Sequence, residues 1–361
     1  MFKQRTERLV TLLSETGAQG VLIQKPSNMR WLSGYTGEGA LLITNDLWAV
    51  VTDFRYTEQA EMQAPDYKVF MTTPEEKEPK VVARLLADTG IGRLNFEDDF
   101  LTVKGMKELQ EAAPDVSFIP VDKKPEKLRQ IKDGSEIALI EKACGITCRA
   151  YEYILGFISD HLNEGLTEIM VRNELESALI RFGADKPSFE SIVATGANGS
   201  LPHAIPGDRV IKRGQMLTMD FGAMVGGYCA DMTRTVAIGE INAESRKIYD
   251  TVLQAQQLAL ELIRPGADCR EVDGIARSFI EKAGYEGRFG HGLGHSLGLD
   301  IHESPRLSSI SDDTLAPGMV VTDEPGIYIP GICGCRIEDT VLVTEDGCRR
   351  LTTADKELII L

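Results

Sequence analysis

Residues 214–222 read Gly-Gln-Met-Leu-Thr-Met-Asp-Phe-Gly, and residues 318–326 read Gly-Met-Val-Val-Thr-Asp-Glu-Pro-Gly. In both stretches a glycine, a threonine, a carboxylate and a second glycine stand at equivalent positions around an apolar run of strand type. A second carboxylate follows each stretch after a glycine-containing turn, Asp231 in the first and Glu338 in the second. The repeated order predicts two similar strand hairpins, each with a pair of carboxylates.

The repeat extends outward into helices. Residues 162–168 read Leu-Asn-Glu-Gly-Leu-Thr-Glu, and residues 263–269 read Ile-Arg-Pro-Gly-Ala-Asp-Cys. In each, one helix is expected to end before the glycine and another to begin at an N-cap, Thr167 or Asp268. The second helices should end at glycines an equal distance on, Gly183 and Gly284. We therefore predict two helix-helix-hairpin halves that face each other across a pseudo-twofold axis.

The chain before these halves predicts a small α/β domain, because short β-type runs alternate with helical stretches. The runs are 21–23, 41–44, 48–51, 94–96 and 116–119. A charged stretch with a proline follows at 121–127, and Asp133 and Glu136 have the spacing of a capping box that opens a helix. The predicted organisation is an N-terminal domain at 1–124, a linker at 125–135 and a second domain at 136–361. The fold class is α/β in the broad (α+β) sense.

Composition excludes several function classes. The 361 residues suggest about two domains. The excess of 55 acidic over 39 basic residues gives a net charge of -16, which repels nucleic acid and anionic membranes. No apolar run approaches the length of a membrane span, and residues 1–8 lack the apolar core of a signal peptide. The seven cysteines lack CxxC spacing, which indicates reduced thiols, so we expect a cytoplasmic protein.

Four carboxylates that converge repel one another unless protons or cations neutralise them. Asp220 can meet Asp231, and Glu324 can meet Glu338, because each pair lies on two paired strands of one hairpin. Carboxylate oxygens with one imidazole favour Mn²⁺, Co²⁺, Zn²⁺ or Fe²⁺ and leave positions open for water. The pattern predicts a catalytic site, and its geometry suits two ions bridged by carboxylates.

The histidines are concentrated near one segment. The chain has five, and three of them, His291, His295 and His302, lie within residues 291–303. Glycines interrupt this segment, so the i,i+4 pair His291 and His295 does not indicate a helical zinc motif. His203 follows Pro202, and His161 stands apart at a polar helix end, where we expect no function.

Four segments carry a resemblance: the hairpin 217–235, the pattern HGxGHxxGxxxHE at 291–303, Glu-Pro-Gly-Ile-Tyr at 324–328, and Arg-Ile-Glu-Asp at 336–339. Together they resemble the aminopeptidase P and prolidase group of the pita-bread metallopeptidases, to which methionine aminopeptidase also belongs. The resemblance covers the whole chain, because the Xaa-Pro enzymes also carry an N-terminal domain of this kind. It implies a creatinase-like α/β domain followed by a pita-bread domain.

The resemblance also implies the metal chemistry. Asp220 would chelate one divalent ion, His295 and Glu324 would bind the other, and Asp231 and Glu338 would bridge them. Mn²⁺ is the first expectation, with Co²⁺ or Zn²⁺ as alternatives. A bridging hydroxide would attack the bond before proline, and Glu324 would carry the proton to the leaving nitrogen.

Further site residues follow from the same resemblance. His302 would hydrogen-bond the developing oxyanion, and His203 and His291 would contact the substrate. Arg306 matches the position at which prolidases hold the free carboxylate of a dipeptide. Arg336 and Tyr328 would line the pocket behind the substrate.

The implied activity is removal of an N-terminal residue that precedes proline, from dipeptides or from longer peptides, by a cytoplasmic homodimer. Two alternatives stay open: a catalytically silent pita-bread protein that binds peptides, and a creatinase-type amidine hydrolase. An amidine hydrolase of this kind would lack several of the metal-ligand positions, whereas all five are present in this sequence. Cys333 and Cys335 depart from the usual pattern before Arg336, and we expect them to be free thiols packed near the site.

Overall fold

A computed structural model describes residues 2–361. The chain forms two compact units that divide between Arg129 and Gln130. The division falls inside the linker predicted at 125–135. Residues 124–129 are helical and overlap the start of that linker. The exact bounds of the linker stay a prediction. Within the described residues, no helix has both the length and the apolar character needed to cross a membrane.

The first unit is a six-stranded sheet flanked by helices. Its strands are β1 (Gly20–Ile23), β2 (Ala40–Thr44), β3 (Trp48–Thr52), β4 (Lys68–Met71), β5 (Arg93–Phe96) and β6 (Ser117–Pro120). Its helices are α1 (Phe2–Leu13), α2 (Pro26–Ser33), α3 (Thr57–Gln63), α4 (Glu78–Thr89), α5 (Val103–Ala112) and α6 (Lys124–Arg129). The strand order is β4-β3-β2-β1-β5-β6.

The sheet is mixed, and its pairings follow the connections. The short turn between β2 and β3 makes an antiparallel hairpin. Strands β5 and β6 each follow a helix; β5 pairs in parallel with β1, and β6 pairs in parallel with β5. The five predicted strands are confirmed. The edge strand β4, which has no fully buried residue, was not predicted from the sequence.

The second unit holds the repeat. Its helices are α7 (Gly134–His161), α8 (Glu168–Arg181), α9 (Ala243–Leu260) and α10 (Cys269–Ile280). Strands of the first half are β7 (Lys186–Pro187), β8 (Ile192–Thr195), β9 (Gln215–Phe221), β10 (Ala223–Val225), β11 (Tyr228–Cys229) and β12 (Met232–Ile238). Strands of the second half are β13 (Gly294–Ser296), β14 (Glu303–Leu307), β15 (Val320–Asp323), β16 (Gly326–Ile329), β17 (Cys333–Arg336), β18 (Asp339–Val343) and β19 (Cys348–Arg350).

Local signals explain where the helices begin. Asp133 caps α7, and Glu136 completes the predicted capping box by accepting a hydrogen bond from the Asp133 backbone. Thr167 and Asp268 cap α8 and α10, as the repeat predicted. Each of these side chains accepts hydrogen bonds from backbone N–H groups that the first helical turn leaves unpaired.

The two halves have the same strand arrangement. In the first, β9 lies between β12 and β8; in the second, β15 lies between β18 and β13, and all four pairings are antiparallel. The halves meet along β12 and β18, where the Glu338 backbone N–H donates to the Thr233 carbonyl at 3.1 Å and Thr340 Oγ1 donates to the Asp231 carbonyl at 2.7 Å. The predicted pseudo-twofold repeat is confirmed, and its seam brings the two carboxylate pairs together.

Candidate active site

Each hairpin delivers its two carboxylates to the seam between the halves. In the first, Asp220 is the next-to-last residue of β9, and Asp231 directly precedes β12. In the second, Glu324 directly follows β15, and Glu338 directly precedes β18. Antiparallel pairing places the end of one strand beside the start of its partner, so residues far apart in sequence share one site.

Three of these carboxylates form a compact buried group. Asp220, Asp231 and Glu338 each offer an oxygen within 4.8 Å of the others. Their exposures are only 9%, 5% and 1%. One oxygen of each, Oδ1 of both aspartates and Oε1 of Glu338, is buried without a hydrogen-bond partner among the described residues. Buried carboxylate oxygens without partners are costly, and a divalent cation would satisfy all three.

His295 and Glu324 complete the donor set next to Asp231. His295 Nε2 lies 3.6 Å from Asp231 Oδ2 and 3.3 Å from Glu324 Oε1. The other ring nitrogen, Nδ1, lies 3.0 Å from the Ser296 carbonyl. Because a carbonyl only accepts, Nδ1 carries the proton and Nε2 presents its lone pair to the carboxylates. Thr322 Oγ1 fixes Glu324 by donating to its Oε1 at 2.9 Å.

Burial shifts the pKa of these donors. It raises the pKa of Asp231 and Glu338 well above the usual carboxyl range, and the neighbouring carboxylates raise it further. Burial raises the pKa of Glu324 to about 7, although Arg336 acts in the opposite direction. Burial also lowers the pKa of His295 to about 3, so the ring is neutral at pH 7. The buried carboxylates require a positive charge beside them, and the neutral imidazole has a free lone pair. Together these groups are suited to binding divalent metal ions.

These shifts predict that metal binding depends on pH. A carboxyl whose pKa is raised to about 7 holds a proton that a metal ion must displace, whereas His295 holds none. We expect Mn²⁺ affinity to increase with pH between pH 6 and 8, by up to about tenfold per pH unit for each proton displaced. Titration calorimetry in two buffers of different ionisation enthalpy measures the protons released. Equal affinity at pH 6 and 8 would contradict the prediction.

Arg336 holds the back of the site. Its guanidinium donates to Asp220 Oδ2 at 2.6 Å, to Thr233 Oγ1 at 3.0 Å and to the Tyr328 hydroxyl at 2.7 Å. Asp220 therefore keeps only its second oxygen for a metal ion. Burial raises the pKa of Tyr328 to about 12, so its hydroxyl keeps its proton.

His291 is bound on both sides by the protein. Its Nδ1 lies 2.8 Å from the Gly292 carbonyl, and its Nε2 lies 2.9 Å from the Tyr328 hydroxyl. Nδ1 therefore carries the proton, and Tyr328 donates to Nε2. Burial lowers the pKa of His291 to about 4.

A cavity of about 850 Å³ opens beside the carboxylates. Its wall includes every predicted site residue except Tyr328, which lies behind Arg336 and His291. His302 lies with its ring centroid 4.5 Å from that of His295. Arg306 is exposed on β14, directly opposite His295 in the strand pairing. His203 lines the cavity from the loop after β8.

The rest of the cavity wall was not predicted from the sequence. Part of it is apolar and comes from separate loops and strands: Phe189, Ile192, Ile205, Ile301 and Ile310. Thr233 and Thr322, which donate hydrogen bonds to Glu338 and Glu324, were not predicted as site residues either. Thr322 had a signal, since threonine recurs at that position in both halves. The apolar residues had none, because nothing in their spacing links them.

All seven cysteines are free thiols. Cys333 and Cys335 are buried in β17, and burial raises the pKa of both, that of Cys335 to about 12. Since the thiolate is the reactive form, burial makes both thiols less reactive toward oxidants and metal ions.

The fold and the donor set define a pita-bread metallopeptidase, and comparison with known proteins gives the family. The model of the family described as metallopeptidase family M24 matches residues 138–345, and that of the creatinase/prolidase N-terminal domain matches residues 5–131. The chain belongs to metallopeptidase family M24. The resemblance stated from the sequence is therefore confirmed.

Relatives whose names state an activity align with nearly the full length of this chain. It is 37% identical to the Xaa-Pro dipeptidase of Pyrococcus furiosus, over 99% of this chain and 100% of the relative. Among solved structures, the Xaa-Pro dipeptidase from Bacillus anthracis is 42% identical with a TM-score of 0.95, covering 100% of both chains. The X-Pro aminopeptidase from Thermotoga maritima is 33% identical with a TM-score of 0.88, covering 99% of this chain and 100% of that one. The relatives include both dipeptidases and aminopeptidases.

Proposed function

We propose that the protein is a two-metal exopeptidase that hydrolyses the bond between an N-terminal residue and proline, with dipeptides as its preferred substrates. The buried oxygens of Asp220, Asp231 and Glu338 carry this proposal, because they need cations and they line a cavity large enough for a small peptide. The named relatives support the substrate class.

The donors divide into two groups that share the bridging residues. We assign Asp220 to one ion, His295 and Glu324 to the other, and Asp231 and Glu338 to both. Asp231 supports this division, since it lies within reach of Glu338 and Asp220 on one side and of His295 on the other. We propose Mn²⁺ as the metal because the set is rich in hard oxygens, with Co²⁺ or Zn²⁺ as alternatives. Bound divalent ions would supply Lewis acidity and make water a nucleophile near neutral pH.

Two side chains handle charge and protons around the reacting bond. Glu324 lines the cavity beside His295 and would carry the proton to the imino nitrogen of proline as that bond breaks. His302 lies at the cavity wall beside His295, and burial lowers its pKa, so it is a neutral hydrogen-bond donor to the developing oxyanion. His203 and His291 would contact the substrate on either side of this centre.

We expect His302→Ala to reduce kcat on the order of 10²-fold, the usual effect of losing one oxyanion donor. Metal content should not change, because no metal donor is lost. Steady-state kinetics together with elemental analysis of metal content measure both effects. His161→Ala is the matched control, since His161 lies at the end of α7 against Phe157 and should leave kcat unchanged. A full rate in His302→Ala would remove the role assigned to it.

Arg306 underlies the proposed preference for dipeptides. Arg306 is an exposed residue that lines the cavity, and the planar pair of N–H groups of its guanidinium can bind the free carboxylate of Xaa-Pro. In a longer peptide that carboxylate lies further along the chain. Arg306→Met should therefore raise KM for Ala-Pro more than for Ala-Pro-Gly.

The function is tested by hydrolysis of Ala-Pro and Ala-Pro-Gly, with Ala-Ala-Gly as the control, after chelator treatment and addition of Mn²⁺. We expect metal-dependent cleavage of Ala-Pro and none of Ala-Ala-Gly. Faster cleavage of the tripeptide would make the protein an aminopeptidase instead. No metal-dependent cleavage of either proline peptide would overturn the proposal and favour a peptide-binding protein.

We further propose a cytoplasmic homodimer that acts on small peptides and binds neither nucleic acid nor membranes. The net charge of -16 supports the last point, and seven free thiols are typical of a reducing compartment. The dimer rests on the family resemblance, and light scattering coupled to size-exclusion chromatography tests it.

A further inference from the structure

Lys132 is a buried lysine that the proposed mechanism leaves without a role. It directly precedes Asp133, the N-cap of α7, and its side chain is only 1% exposed. Its backbone N–H donates to the Gly318 carbonyl at 2.9 Å, just before β15. The position of Lys132 is therefore fixed by a helix start on one side and by the turn before a central strand on the other.

The ammonium group of Lys132 contacts two strands of the second half. Nζ donates to Ser296 Oγ at 2.8 Å and lies 3.3 Å from Glu303 Oε2, whose side chain is 8% exposed. Ser296 at the end of β13 and Glu303 at the start of β14 are directly opposite each other in the pairing. Residues 297–302, which lie between them, form a loop that carries His302. Lys132 thus binds both ends of this loop at its base.

The loop itself wraps around the Glu303 carboxylate. Glu303 Oε1 accepts a hydrogen bond from the Asp300 backbone at 3.1 Å. A Cβ on Gly298 would lie 2.7 Å from that same oxygen, so a larger residue there would displace the Glu303 carboxylate. The Gly298 carbonyl in turn accepts from the Cys229 backbone at 2.8 Å. The path of the loop therefore depends on where Glu303 is held and on its charge being balanced.

We propose that Lys132 is a positioning residue for His302. By balancing the charge of Glu303 and holding Ser296, it sets the loop so that the His302 ring lies against His295. His302 is covalently adjacent to Glu303, and His295 to Ser296, so the two residues that Lys132 contacts are the direct neighbours of the two histidines. The inference rests on the proposed function, in which His302 contacts the reacting carbonyl.

The kinetic test uses Lys132→Met, which keeps the length of the side chain but removes its charge and its donors. We expect kcat for Ala-Pro to fall about tenfold to 100-fold, because misplacement of a catalytic group by about 1 Å has effects of this size. KM and bound Mn²⁺ should change little. Lys132→Arg, which keeps the charge, should recover part of the loss.

A double-mutant cycle with His302→Ala separates positioning from general destabilisation. If Lys132 acts through His302, Lys132→Met should have almost no further effect on kcat once His302 is absent. Lys356→Met is the matched control, since Lys356 is also buried and ion-paired, to Asp339, away from this loop. Lys356→Met should change kcat by the same factor in the presence and in the absence of His302. An equal effect of Lys132→Met in both backgrounds would overturn the proposal.

A measurement that needs no catalysis keeps the inference separate from the proposed function. With five histidines in the chain, NMR of the metal-free protein labelled at histidine can follow each ring. Lys132→Met should shift the ring signals of His302 and leave those of His161 unchanged. An unmoved His302 signal would overturn the inference even if Ala-Pro is cleaved, and a shifted one would support it even if Ala-Pro is not cleaved.

Discussion

Glu338→Ala should abolish Mn²⁺ binding and activity together. Glu338 is 1% exposed and presents Oε1 without a partner to the space shared with Asp220 and Asp231, while its Oε2 accepts from Thr233 at 2.6 Å. Removing it takes away the oxygen assigned to bridge both ions. Because metal ions contribute several kcal/mol of transition-state stabilisation, kcat/KM should fall on the order of 10³-fold or more.

Elemental analysis, calorimetry and Ala-Pro hydrolysis measure this result. Glu338→Gln is the matched variant, since it keeps the shape and the contact with Thr233 but lacks the negative charge. It should also lose metal, yet remain folded by circular dichroism. Retention of two equivalents of Mn²⁺ in the alanine variant would show that Glu338 is not a bridging ligand.

Asp339→Ala should destabilise the second unit by about 3–5 kcal/mol. The Asp339 side chain is 0% exposed and pairs with Arg234 at 2.8 Å and with Lys356 at 2.8 Å. Burial raises the pKa of Asp339, but these two cations outweigh it and leave the pKa below its ordinary value. Without the carboxylate, Arg234, 1% exposed, and Lys356 keep buried charges without their counter-ion.

Denaturant unfolding of the chelated protein measures the loss. Chelation removes any contribution of bound ions at the neighbouring residue Glu338, a proposed metal donor. Asp250→Ala is the control, because Asp250 forms an exposed i,i+4 pair with Arg246 and its removal should cost at most about 0.5 kcal/mol. A loss in Asp339→Ala no larger than in this control would show that other contacts balance the buried cations.

The repeat explains how much of the site the sequence predicts. Turn and cap signals are local, so Thr167, Asp268 and the capping box at Asp133 are visible in the sequence and place the helices. The equivalence of Asp220 with Glu324 then predicts that two hairpins bring their carboxylates together. The structure adds the pairing partners, β8 and β13, that complete each half.

What the sequence does not predict depends on contacts without periodicity. Phe189 and Ile310 both line the cavity, although no spacing or repeat in the sequence connects them. Lys132 lies far from Glu303 in sequence, and a lone lysine before a helix is usually exposed, so nothing marks it as buried. The edge strand β4 was also not predicted, and neither of its faces is fully buried.

The seam between the halves also has a consequence for folding. Asp220 and Glu338, two of the proposed metal donors, lie more than one hundred residues apart in sequence, so the unfolded chain does not hold them together. A ligand that binds only the native state stabilises it, by about 2.7 kcal/mol at a free concentration one hundred times its dissociation constant. Metal availability in the cell would therefore govern how long the assembled second unit survives proteolysis, as well as how fast it works.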